Sequence, residues 1–140
     1  MCIEICLGLK ALHDANIIHR NFKSNYILLD KENHPMITDF GLLKVIDESP
    51  IKSTLSSYGN MGWRASETKD GMYKKESDIY SLGVVFWEIG TCEIPPNDSK
   101  PECPDSFPLM IKELIEECLD QNPKHRPNIS TILSKLESFI

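Results

Sequence analysis

The side chains able to do polar chemistry fall into two short runs. The first is Ile17-Ile18-His19-Arg20-Asn21-Phe22-Lys23; the second, Met36-Ile37-Thr38-Asp39-Phe40-Gly41, begins sixteen residues after Arg20. A guanidinium such as that of Arg20 makes paired hydrogen bonds to phosphate oxygens and can thereby order a loop. The amide of Asn21 is neutral and takes no proton at neutral pH, although it can still orient a hydroxyl. Tyr26 offers a phenol of ordinary pKa ~10, a poor partner for Mg²⁺ beside an amide oxygen. Other candidates are weaker. Cys2, Cys6, Cys92, Cys103 and Cys118 are odd in number and lack C-x-x-C spacing, so neither a disulfide framework nor a zinc site is expected, and a reducing, cytoplasmic setting fits. Cys2 and Cys6, one helical turn apart, read as small apolar side chains on a core face. His13, His34 and His125 lack ligand spacing and read as surface or turn residues. Glu116 and Glu117 read as a solvated face.

These residues need a scaffold. At 140 residues the chain is one domain, long enough to bury a sizeable core. A formal charge of −6 without a Lys/Arg cluster argues against a nucleic-acid face. No apolar run approaches a membrane span, and Met1-Cys2-Ile3-Glu4-Ile5 lacks the basic start of a secretory signal. Ile3, Cys6, Leu7, Leu9 and Leu12 predict a helix over residues 1–15. Such a helix at the very start of a chain suggests further sequence in front of it. Residues 26–38 predict a hairpin, Tyr26-Ile27-Leu28-Leu29 and Pro35-Met36-Ile37-Thr38 around the turn at Asp30-Lys31-Glu32-Asn33. Residues 42–62 read as a long loop. Ser77-Asp78 predicts the cap of a helix from about Ile79 to Gly90. Five prolines in 92–108 forbid helix through most of that segment. Leu109–Leu119 is amphipathic, and Asn128 caps a last helix reaching about Phe139. The fold class expected is mainly α with a small β-hairpin.

The ordered motifs resemble the C-terminal lobe of eukaryotic protein kinases over nearly all of residues 1–140. His19-Arg20-Asn21-Phe22-Lys23 is similar to that family's catalytic loop, His-Arg-Asp-Leu-x-x-x-x-Asn, and Asp39-Phe40-Gly41 to its metal-binding turn. Ala65-Ser66-Glu67 stands where the family has Ala-Pro-Glu. Asp78-Ile79-Tyr80-Ser81-Leu82-Gly83-Val84 resembles the start of its central helix, and Asn122-Pro123-Lys124-His125-Arg126-Pro127 the segment with its late structural Arg. Trp63, before Ala65-Ser66-Glu67, resembles the tyrosine-kinase-like branch. The resemblance implies ATP and Mg²⁺, with Asp39 binding the metal and Lys23 neutralising the transferred phosphoryl group. It implies that Arg20 receives a phosphate from Ser53, Thr54, Ser56, Ser57 or Tyr58, and that Glu67 and Arg126 form a buried ion pair. It places His19, Phe40 and Asp78 in a hydrophobic spine and its anchor, and Leu28 beneath an adenine ring.

The departures lie where the chemistry should be. Asn21 occupies the position of the family's catalytic Asp and Tyr26 that of its Mg²⁺-binding Asn; only a slip of register would bring Asn25 there instead. Proton acceptance by a side chain is worth roughly 10²–10⁴ in rate. A Gly-rich phosphate loop and a Val-Ala-Ile-Lys strand are absent, and a proline-rich segment replaces the family's docking helix. ATP and Mg²⁺ binding by this chain is therefore expected to be negligible. The function expected is a catalytically impaired, pseudokinase-like lobe that binds or regulates other proteins, an active kinase among the candidates, rather than nucleic acid or membrane. The alternative is a truncated Ser/Thr or Tyr protein kinase. A third reading is a fragment whose uncovered apolar surface drives self-association.

Overall fold

Apolar side chains at helical spacing build α1 (Cys2–Asp14) in the computed structural model, which describes residues 1–39, 43–46 and 61–140. The buried face is Ile5, Cys6, Leu9 and His13, while Leu7, expected on the core side, is 51% exposed. Ile5, Leu9 and His13 follow one another at four-residue steps, so the helix that buries the first two must bury the third. The reading of His13 as a surface residue is therefore corrected, whereas His34 and His125 are exposed.

Two short antiparallel pairs follow. β1 (Ile17–Ile18) pairs with β4 (Lys44–Val45), a strand inside the stretch expected to be loop. β2 (Ile27–Leu29) and β3 (Pro35–Ile37) form the expected hairpin, with Ile27 opposite Ile37 and Leu28 opposite Met36. Its turn is tied by Asp30 Oδ1, which accepts the N–H groups of Glu32 and His34, both at 2.8 Å. The His34 N–H is the larger influence holding the Asp30 carboxyl below the usual carboxylate range. Asn33 takes the left-handed conformation that Asn tolerates, with φ 64°.

The centre of the molecule is α2 (Lys75–Thr91), in which every residue from Ser77 to Trp87 is buried. A helix apolar on all sides must be surrounded by protein. It begins four residues before the expected Ile79, with Lys74 as cap and the Lys74 N–H donating to Ser77 Oγ at 3.1 Å. Ser77 thus serves from inside the first turn, and Asp78 is freed for a different task. α3 (Leu109–Cys118) closes against α2 at Gly83, where a Cβ would stand 2.7 Å from the Cys118 Cβ. α4 (Ile129–Phe139) is capped by Asn128, whose Oδ1 accepts the Thr131 N–H at 2.9 Å, and packs on α1 and α3. Leu82, Ile115, Leu119 and Ile132 are fully buried at this junction, each contributing about 1.5–3 kcal/mol. Burial pushes the Cys6 thiol up to about 12, so Cys6 packs as an apolar side chain. The segment 92–108 carries no helix and is anchored by Trp87, whose indole N–H donates to the Glu102 carbonyl at 2.8 Å.

Candidate active site

The loop between β1 and β2 hangs on one buried carboxylate. Asp78 Oδ2 accepts the His19 N–H at 2.8 Å and lies 2.9 Å from His13 Nε2, and Asp78 Oδ1 accepts the Arg20 N–H at 3.0 Å. Arg20 has φ 69°, a left-handed conformation costing a non-glycine residue about 1–2 kcal/mol. Two backbone bonds to a buried carboxylate offset that strain. His19, fully buried, joins the two motif runs: its Nε2 is 2.9 Å from the Thr38 carbonyl and its Nδ1 accepts the Asn21 N–H at 3.3 Å. A ring protonated on Nε2 satisfies both bonds. Phe22 meets the His19 ring edge-on, with centroids 5.5 Å apart.

This frame brings Asn21 to Asp39. The Asn21 amide Nδ2 donates to Asp39 Oδ2 at 3.0 Å, and Asp39, like Arg20, is left-handed, with φ 62°. The Lys23 ammonium lies 4.8 Å from the Tyr26 ring centroid and 5.9 Å from that of Trp63, a cation between two aromatic faces. Trp63 is itself held by Glu88: its indole N–H donates to Glu88 Oε2 at 2.7 Å, while Ser24 Oγ donates to Glu88 Oε1 at 2.8 Å. Glu88 was not singled out in the sequence, and nothing local marks it, because its partners are 64 and 25 positions away. The Arg20 guanidinium lies 5.2 Å from the Tyr73 ring, whose hydroxyl is 2.6 Å from Arg64 Nη2.

The remaining candidates occupy separate places. Leu28 is 53% exposed and pairs across the hairpin with Met36, at 48%. Glu67 and Arg126 form a bidentate ion pair at 2.7 and 3.1 Å against α2's first turn, where Ser77 Oγ donates to Glu67 Oε1 at 3.2 Å. Arg126 also donates to the Asp120 and Glu76 carbonyls, both at 2.8 Å, and lies over the Tyr80 ring. Glu117 pairs with Lys135 across α3 and α4, and Glu116 is exposed. Phe40, Gly41 and the residues Ser53, Thr54, Ser56, Ser57 and Tyr58 lie outside the described residues.

The family described as protein tyrosine and serine/threonine kinase matches residues 1–136. The chain belongs to the protein kinase family. It is 36% identical over 98% of its length to a probable serine/threonine-protein kinase of Dictyostelium discoideum, of which it spans 14%. It is 33% identical over 99% of its length to the dual specificity protein kinase pyk3 of the same organism, spanning 11% of it. Against the serine/threonine/tyrosine-protein kinase HT1 of Arabidopsis thaliana the identity is 30%, over 99% of this chain and 39% of that protein. The chain thus spans well under half the length of these curated relatives.

Kinases of this family generally use ATP and Mg²⁺, and the site can be tested for fit to the metal. Mg²⁺ takes hard oxygen donors in near-octahedral geometry. Asp39 supplies a carboxylate, but one of its oxygens is engaged by the Asn21 amide nitrogen. Position 26 supplies a phenol whose ring faces the Lys23 ammonium. The residues at 21, 26 and 39 therefore do not fit the family's metal, and no reaction step is derived through it.

Proposed function

We propose that residues 1–140 are the C-terminal lobe of a kinase-like domain of the tyrosine-kinase-like branch, impaired in phosphoryl transfer and acting as a protein-binding or regulatory module. Its partners in this reading are other cytoplasmic proteins, an active kinase among them. The observation that carries the reading is the 3.0 Å bond from the Asn21 amide to the Asp39 carboxylate. A proton donor stands where transfer needs a proton acceptor, and it occupies the carboxylate that would hold the metal. Tyr26, stacked on Lys23, supports the same conclusion. Trp63 supports the branch assignment through its position before Ala65-Ser66-Glu67.

Thermal denaturation of the chain and of Asn21→Asp, with and without millimolar Mg²⁺, tests this. Mg²⁺ alone or with ATP leaves the melting temperature of the native sequence unchanged. Asn21→Asp sets carboxylate against carboxylate and loses the amide donor, a cost of about 1–3 kcal/mol, or roughly 2–4 °C for each kcal/mol. Mg²⁺ recovers part of that loss, because a divalent cation can bridge the two carboxylates. A native chain stabilised by several degrees with Mg²⁺ and ATP contradicts the reading and favours a truncated active kinase.

A further inference from the structure

A single carboxylate positions both of the rings that face Lys23. Glu88, near the end of α2, accepts the Trp63 indole N–H on Oε2 at 2.7 Å and the Ser24 hydroxyl on Oε1 at 2.8 Å. Ser24 opens the 3₁₀ turn Ser24–Tyr26, so the carboxylate that holds one ring also holds the turn that carries the other. Trp63 is fixed a second time through its carbonyl, which accepts the Ser81 hydroxyl of α2 at 2.7 Å. Between these two walls stands the Lys23 ammonium, 4.8 Å from the Tyr26 ring centroid and 5.9 Å from that of Trp63. Lys23, Tyr26, Trp63 and Glu88 are all half-buried. A cation on a ring face is held more firmly there than at an open surface, because less water competes for it.

We infer that Tyr26 and Trp63 form an autoinhibitory clamp that withholds the Lys23 ammonium from phosphate oxygens, with Glu88 as the positioning residue of that clamp. The inference rests on the reading of this lobe as impaired in phosphoryl transfer and adds a regulatory contact to the same site. The amide of Asn21 is a fixed chemical loss. The clamp is reversible, because its hold on Lys23 is a pair of ring contacts that ends when either ring leaves. A phosphate-bearing ligand must draw the ammonium off two aromatic faces before it gains an ion pair, and that cost weakens binding through Lys23. Bolting both walls to α2 removes the freedom that would let the rings part, so the clamp is closed before any ligand arrives.

The test is NMR of the chain with isotope-labelled lysine, leucine and isoleucine, the Lys23 signal being the one missing from Lys23→Arg. Ring currents place the Lys23 ε-methylene signal of the native chain upfield of the other lysines. Tyr26→Leu removes one wall, and Glu88→Gln sets an amide NH₂ against one of the two donors that Glu88 now accepts. In both variants the Lys23 signal returns toward the other lysines, while the methyl signals of buried Leu82 and Ile132 stay in place. Titration with inorganic triphosphate, without metal, shows binding through Lys23 roughly 2- to 30-fold tighter in Tyr26→Leu than in the native chain. A native Lys23 signal among the other lysines, or equal triphosphate affinities, overturns the clamp. A Lys23 signal still fully displaced in Glu88→Gln, or one that moves only together with the core methyls, overturns the positioning role of Glu88. Transfer of label from ATP by a chain whose Lys23 signal is displaced keeps the clamp and overturns the proposed loss of catalysis. An undisplaced signal in a chain that transfers no label overturns the clamp alone.

Discussion

Asp78→Ala destabilises the chain by about 3–5 kcal/mol, a large part of the roughly 5–15 kcal/mol that holds a domain folded. Asp78 is buried and is the shared acceptor for the His19 and Arg20 N–H groups and the partner of buried His13. Its removal orphans two backbone donors and an imidazole at once, and leaves the left-handed Arg20 without the bond that offsets its strain. Asp78→Asn keeps the shape and one acceptor oxygen, so it loses less. Urea denaturation of the three proteins gives the ranking, and a loss under about 1 kcal/mol for Asp78→Ala contradicts the role given to this carboxylate.

Arg126→Met has an effect of the same size for a different reason. The Arg126 side chain is fully buried while Glu67 keeps 18% exposure, so removing the guanidinium strands a carboxylate that water only partly reaches. It also removes the donor that Arg126 gives to the Asp120 carbonyl, and the second donor it gives to the Glu76 carbonyl inside α2. Breaking a buried pair from one side costs about 3–5 kcal/mol, whereas replacing both partners by apolar groups is often far milder. Arg126→Met combined with Glu67→Leu is therefore more stable than Arg126→Met alone. A double variant less stable than either single variant contradicts this account of the pair, and the cycle of four proteins measures the coupling.

Both scaffolding residues were legible in the sequence only through resemblance. Local pattern marked α1, the hairpin, α3, α4 and the helix-free proline segment, because helical spacing, the Asp30–Asn33 turn, the Asn128 cap and the prolines each act within a few residues. It misplaced the start of α2. Ser77 and Asp78 have the chemistry of a cap, but Ser77 receives the Lys74 N–H from inside the helix and Asp78 spends its oxygens on a loop nearly sixty positions earlier. β4 escaped because two residues carry no periodicity. His13 carries no ligand spacing, and its burial follows only from its place four residues beyond Leu9 and eight beyond Ile5 on the same helix. The Glu88 clamp depends on chain segments that meet only after folding.

At the site itself, sequence could say that Asn21 takes no proton, but not what its amide does instead. The structure shows that the amide donates to the Asp39 carboxylate, and in the proposed reading that bond competes with the metal. The most direct measurement is transfer of the labelled γ-phosphate of ATP, with Mg²⁺, to a mixed Ser, Thr and Tyr protein substrate by this chain and by its Asp39→Ala variant. The account predicts the same background label for both. Robust incorporation by the native chain, lost on changing Asp39, contradicts it.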